Sequence, residues 1–243
     1  MSGAIDDDIA ACADMVHRAD PSRFRAAMAA PVAARAVLFP VYAFNLEVAR
    51  APWVTNEPMI AEMRMQWWRD ALDEIAAGTP VRRHMVATPL ARVLDADGAG
   101  LLDALIEARR ADIEGAPVPG DDGFDAYIAA TSGNLMLAAA RALGPAAPET
   151  VRDAGHAIGV ANWLRAVPAL AASGRRTLPE APAETVRDLA RDALRRLACA
   201  RAARGQVSRA AGPALLPVWE AGPVLRRAAR DLAGVTDGCL DPG

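Results

Sequence analysis

Gly159-Val160-Ala161-Asn162-Trp163-Leu164-Arg165-Ala166-Val167, running on to Gly174-Arg175-Arg176-Thr177-Leu178-Pro179, is the stretch on which the fold turns. Its first half belongs to a helical pattern from Pro148 to Leu170, opened by proline and followed by glycine. Working outward, the same spacing of apolar residues fills nearly the whole chain and is broken by Pro and Gly, not by the paired turn residues of hairpins. The pattern predicts helices over Ile5 to Arg18, Pro21 to Ala30, Pro31 to Ala51, Met59 to Ala77, Pro89 to Leu94, Gly100 to Glu114 and Phe124 to Leu143. Beyond Pro148 to Leu170 it predicts Ala183 to Arg204 and Pro213 to Leu232. Asp6, Asp7 and Asp8 read as acids in the first turn of the first helix, where the helix dipole favours negative charge. The expected organisation is one all-α domain over residues 1–233 and a flexible, Gly- and Asp-rich tail over residues 234–243.

Composition agrees. Of 243 residues 58 are Ala, the residue with the lowest cost of helical ordering, and aromatics are only 5 %. With 53 % apolar and 23 % charged residues the chain is neither disordered nor a small disulfide scaffold. The longest uncharged run, Ala126 to Ala140, is 15 residues, shorter than the roughly 18–20 needed to cross a bilayer. The acidic N-terminus fits neither a secretory nor a transit peptide. Cys12, Cys199 and Cys239 are an odd number without C-x-x-C spacing, and His17, His84 and His156 stand apart, so a zinc site is not expected. These features suggest a cytoplasmic protein. All 27 basic residues are Arg, and ten of them lie between Arg187 and Arg230 against three acids, giving +7 there and −10 elsewhere. An anionic membrane surface is a candidate partner for that region. Nucleic acid is not expected, because neither interleaved aromatics nor a known motif accompanies the charge.

Four blocks carry a more specific signal: Leu38-Phe39-Pro40-Val41-Tyr42-Ala43-Phe44-Asn45 continuing to Arg50, Gln66-Trp67-Trp68-Arg69-Asp70-Ala71-Leu72, Tyr127 to Gly133, and Gly159 to Pro179. In that order and spacing the chain resembles the squalene and phytoene synthase family, from about Arg23 to about Glu220. The resemblance implies a single helical bundle of the isoprenoid synthase type around a central cavity. It also implies head-to-head joining of two prenyl diphosphates, a chemistry that needs two aspartate-rich helical motifs. Aspartates at i and i+4 share a helix face and hold Mg²⁺ ions that neutralise the leaving diphosphate.

Those carboxylates are absent here. Aligned on Tyr42-Ala43-Phe44, the first motif's aspartates fall on Ala49, Arg50 and Trp53, and Pro52 is expected to end the helix. The second motif keeps Asn162, Leu164, Arg165, Val167, Gly174, Arg175, Leu178 and Pro179, but its acidic positions are Ala166, Ala169 and Leu170, with Pro168 among them. Asp70, Asp73 and Glu74 share a helix face but read as an ion-pair set, not metal ligands.

The expected function is a non-catalytic member without catalytic residues, metal or cofactor. Its degenerate subgroup resembles the assembly factors of respiratory complex I, implying complex I subunits or assembly proteins as partners and a peripheral place on the inner membrane face. The enzymatic alternative is a prenyl transferase with altered ligands, which alone would need Mg²⁺; a metal-independent isoprenoid or lipid binder is a third. Arg50, Asn162, Arg165 and Arg175 are the candidate phosphate or cavity contacts, although Arg165 could equally pair with an acid across the cavity. Tyr42, Phe44, Trp67, Trp68, Tyr127, Gly133 and Trp163 are the candidate cavity lining, although core packing explains Trp67, Trp68 and Trp163 more economically.

Overall fold

The computed structural model describes residues 2–54, 57–179 and 182–240. The helices in chain order are α1 (Ser2–Ala19), α2 (Pro21–Ala29), α3 (Val32–Arg50), α4 (Pro58–Ala76), α5 (Ala87–Leu90), α6 (Ala96–Arg109), α7 (Ala111–Glu114), α8 (Phe124–Ile128), α9 (Asn134–Leu143), α10 (Pro148–Ala172), α11 (Pro182–Ala202), α12 (Ala221–Ala228) and α13 (Leu232–Thr236). Short 3₁₀ turns lie at Ala51–Trp53, Arg204–Gln206 and Gly212–Glu220. Among the described residues there is no strand, only an isolated bridge between Ala146 and Val207. The all-α expectation therefore holds.

Local chemistry sets most boundaries. Asp20 caps α2 by accepting from the Arg23 backbone N–H at 2.9 Å, with Pro21 in the first helical position. Asp95 caps α6 through Gly98 N at 2.7 Å, which starts that helix four residues before the predicted Gly100 and leaves Ala111–Glu114 as a separate turn. Helix α3 stops at Arg50, and Pro52 sits in the 3₁₀ turn that follows, as expected. Length and hydropathy alone would let Val32–Trp53 cross a membrane, but more than half of that window is buried inside the bundle, so it is a core helix here.

Three expectations need correction. Helix α1 begins at Ser2, so the acids at 6–8 lie beyond its first turn; Asp8 is instead buried and held by Arg83 at 2.8 Å, tying α1 to the segment before α5. The side chain of Asp6 lies outside the described residues. Pro213 to Leu232 is not one helix: Pro217 has no N–H to donate, the chain runs as 3₁₀ to Glu220, and Asp231 caps a separate α13 through Gly234 N at 3.0 Å. The tail is not free over residues 234–240, because Val235 and Leu240 are buried and Gly238 packs on Pro168 of α10. Residues 241–243 lie outside the described residues.

Helix α10 runs through the middle of the bundle and packs on α9, α11 and α12. Its closest contact is with α8–α9, whose predicted continuous helix from Phe124 to Leu143 widens into a π-turn at Ala129–Gly133. Glycine makes this contact possible. A Cβ on Gly155 would lie 2.8 Å from the Gly133 Cα, and one on Gly159 would lie 2.7 Å from the Ser132 Cβ. Ser132 Oγ donates to the Gly155 carbonyl at 2.7 Å across the same seam. The π-turn and α10 thus meet backbone to backbone and form one wall of the cavity described next.

Candidate functional site: an arginine-lined cavity

A cavity of about 820 Å³ opens between the end of α3, α6–α7, the π-turn, α10 and the loop after α10. On α10 the lining stripe is Asn162, Ala166 and Leu170 at four-residue spacing, with Trp163 beside it. Asn45, Ala49 and Trp53 supply the α3 side. Four of the six positions expected to have lost metal-binding acids, Ala49, Trp53, Ala166 and Leu170, therefore face one space. Ala169 and Arg50 are exposed and do not line it. For Arg50 this corrects an expected cavity contact: it sits one residue, or about 100°, round α3 from Ala49.

The polar wall is built on a buried triad. Arg109 Nη1 donates to the Tyr127 hydroxyl at 2.7 Å and to Asp112 Oδ2 at 3.0 Å, and the Tyr127 hydroxyl donates to Asp112 Oδ1 at 2.7 Å. Both oxygens of Asp112 are thus engaged. Burial holds the Tyr127 phenol well above the usual tyrosine range, so it stays a proton donor to Asp112. Arg175 donates to the Asp112 backbone carbonyl and stacks over the Trp53 ring at 4.1 Å, joining the α10 loop to the end of α3 at the cavity mouth. Arg176 pairs with Asp121, while Arg23 pairs with Asp20 at 2.6 Å and lies over the Tyr42 ring. Four arginines, Arg23, Arg109, Arg175 and Arg176, line the cavity with Asp112 and Glu114, and Asp20 and Asp121 neutralise Arg23 and Arg176. Two buried donors in this wall, Arg109 Nε and Trp163 Nε1, have no hydrogen-bond partner among the described residues.

Sequence reasoning placed Asn162, Arg175, Tyr127 and Trp163 on the cavity, and they are there. Arg165 is not; Nη1 pairs instead with buried Glu220 at 2.6 Å, the structural alternative for that residue. Burial pushes the Glu220 carboxyl up, but hydrogen bonds from Ser22, Arg165 and Arg25 outweigh it, and the group stays below the usual carboxylate range. Trp67 and Trp68 are also not lining: they pack edge to face with each other and against Phe44 and His84 in the core. Phe44 is fully buried there, Gly133 serves the seam with Gly155, and Tyr42 borders a separate small void of about 10 Å³. Arg109, Asp112, Arg23 and Arg176 were not anticipated. The only sequence signal for the triad was the i, i+3 pair of Arg109 and Asp112.

No group of three His, Cys, Asp or Glu able to hold a metal occurs among the described residues. Glu74 pairs with Arg82 at 2.6 Å and Asp70 lies 4.0 Å from the same guanidinium while accepting from Gln66 at 2.7 Å, but among the described residues Asp73 forms no ion pair, so the expected ion-pair set is met in part. The basic C-terminal region is partly neutralised: Asp188 pairs with Arg191, while Asp192 pairs with Arg195 and Arg196.

The helices enclose a cavity at the ends of α3 and α10, and the fold is that of the all-α isoprenoid synthases by its match to a solved structure. A solved dehydrosqualene synthase in complex with ligand superposes with a TM-score of 0.75 over 93 % of this chain and 89 % of that one, at 15 % identity. No curated protein matches the sequence. The family model for squalene/phytoene synthase matches residues 16–183, and the chain belongs to that family.

Proposed function

We propose that this protein is a non-catalytic member of the family that has lost both Mg²⁺–diphosphate motifs. We propose further that it acts as an assembly factor or scaffold for respiratory complex I at the cytoplasmic face of the inner membrane. One observation carries the first part: the motif positions that reach the cavity are Ala49, Trp53, Ala166 and Leu170, none of which can ligate a cation. Of the two carboxylates that line the cavity, Asp112 has both oxygens engaged by Arg109 and Tyr127, which a metal would have to displace, and Glu114 alone offers a single ligand. The residues present do not fit a magnesium–diphosphate cluster. The assembly role rests on the sequence blocks Tyr42 to Asn45, Gln66 to Arg69 and Gly174 to Pro179. Deleting the gene is expected to lower assembled complex I and NADH oxidation by membranes; unchanged levels of both would overturn the role.

A second reading, a metal-independent isoprenoid or lipid binder, is favoured by the open cavity with its four arginines and two donors without a partner among the described residues. Guanidinium groups hold phosphate oxygens in bidentate geometry without metal. Farnesyl diphosphate is expected to raise the melting temperature equally with and without Mg²⁺, and less in Arg175→Ala. No shift with any prenyl diphosphate would remove this reading.

A further inference from the structure

Among the described residues nine large apolar side chains are exposed, and five of them fall within residues 53–63: Trp53, Val54, Met59, Ile60 and Met63. Met59 and Met63 are 70 % and 66 % exposed, higher than solvated core-facing helices normally leave such residues. They are one helical turn apart on α4, whose opposite face (Ala61, Met65, Trp68, Leu72) is buried. The 3₁₀ turn carrying Trp53 packs on α4, so the tryptophan and the methionines belong to one surface. That surface adjoins the cavity, since Trp53 is also part of its mouth.

Charge around this ridge is positive. Arg64 lies one turn from Ile60 on α4, and Arg50 ends α3 just before the 3₁₀ turn; both are exposed and neither forms an ion pair among the described residues. Of the two acids in the stretch, Glu62 is bound by Arg110 at 3.0 Å, and Arg175 adds its charge over Trp53. Arg50, Arg64, Arg110 and Arg175 against Glu57, Glu62 and Glu107, which also pairs with Arg110 at 3.3 Å, leave +1. The ridge is also narrow: Met59 to Met63 spans only about 6 Å of helix, far less than the roughly 800 Å² per side of a stable protein interface. A bilayer surface needs no complementary groove and accepts such a ridge, with Trp at the headgroup level and Arg reaching the phosphates.

We propose that residues 50–54 and 57–64 dock the protein on an anionic phospholipid bilayer, with Met59, Ile60 and Met63 entering the acyl boundary and the cavity mouth turned toward the membrane. This deepens the membrane-surface part of the function proposed above and assigns it to a face other than the basic C-terminal region. It is independent of the loss of metal chemistry.

Flotation of the purified full chain with vesicles of phosphatidylcholine, with and without phosphatidylglycerol, tests it. The expected result is binding to the anionic vesicles, weaker by about tenfold or more in the double variant Met59→Glu/Met63→Glu and unaltered in Arg226→Ala/Arg230→Ala. Because both methionines are exposed, the double variant should keep the wild-type circular dichroism. Trp fluorescence of the unsubstituted fold gives a second readout: brominated lipid should quench it, and less in Trp53→Phe. Undiminished binding of the methionine variant overturns the proposal. If binding is lost only in the C-terminal variant, the face is wrong and the membrane reading survives. If wild-type protein ignores anionic vesicles, both fall. A dimer in sedimentation that Met63→Glu converts to monomer would show a second copy as the occupant and also overturn it.

Discussion

Replacing Gly155 with alanine sets two effects of opposite sign against each other. Intrinsic propensity favours alanine in a helix by about 1 kcal/mol. At Gly155, however, the added methyl would sit 2.8 Å from the Gly133 Cα, 3.1 Å from the Ser132 carbonyl oxygen and 3.3 Å from the Gly133 nitrogen. Ordinary carbon contacts lie at about 3.5–4.0 Å, so α10 and the π-turn must part by most of an ångström, and all three atoms are backbone. Overpacking of this kind costs about 3 kcal/mol, leaving a net loss of about 2 kcal/mol. For a chain of this size that lowers the melting temperature by about 4–8 °C. Gly100→Ala is the matched control, since nothing lies within 4 Å of its added methyl. It should gain about 0.5–1 kcal/mol. Thermal and urea unfolding of both variants decide the matter. If Gly155→Ala is as stable as Gly100→Ala, the seam is not as close as described and the cavity wall built on it is wrong.

Other outcomes follow from the same contacts. Tyr127→Phe should cost about 1–2 kcal/mol and Asp112→Ala about 3 kcal/mol in urea unfolding, because the latter leaves Arg109 without its carboxylate; equal costs would argue against the triad. Burial holds His84 and His156 below the usual histidine value, with Arg196 adding to the effect at His156. The stability tied to their neutral forms is therefore complete above the unfolded value of about 6.5 and lost as pH falls from there toward the lower folded values. Urea midpoints should drop between neutral pH and about pH 5.5, before the carboxylates titrate, and His156→Gln should flatten that slope. Burial, reinforced by Asp8, pushes the Cys12 thiol up to about 12, so a thiol reagent should label exposed Cys199 and Cys239 quickly and Cys12 only on unfolding.

Helix boundaries marked by Pro, Gly or a capping Asp were legible in the sequence, as at Pro21, Pro52 and Pro148. Breaks and packing set by distant contacts were not: nothing local announces that Leu240 is buried or that Gly238 rests on Pro168, 70 positions earlier. The same holds at the site. Asn162 and Trp163 could be placed on the cavity from their blocks, but Arg165 turns to Glu220, 55 residues away, and only the folded chain shows it. Trp67 and Trp68 suited either an isoprenoid tunnel or, more economically, core packing, and their contacts are packing contacts: Trp68 is buried against Phe44 and half-buried Trp67 lies against His84. In the triad, helical spacing reaches the Arg109–Asp112 pair, but Tyr127 joins it from α8 across the loop after α7, beyond the reach of any periodicity.

The central claim is that the cavity has no metal-triggered chemistry. Incubating the purified protein with farnesyl or geranylgeranyl diphosphate and Mg²⁺, and measuring diphosphate release, tests it most directly. Release is predicted to stay at the rate of a protein-free control; Mg²⁺-dependent release above that rate, lost on substitution of a cavity residue such as Asp112 or Asn162, would contradict it.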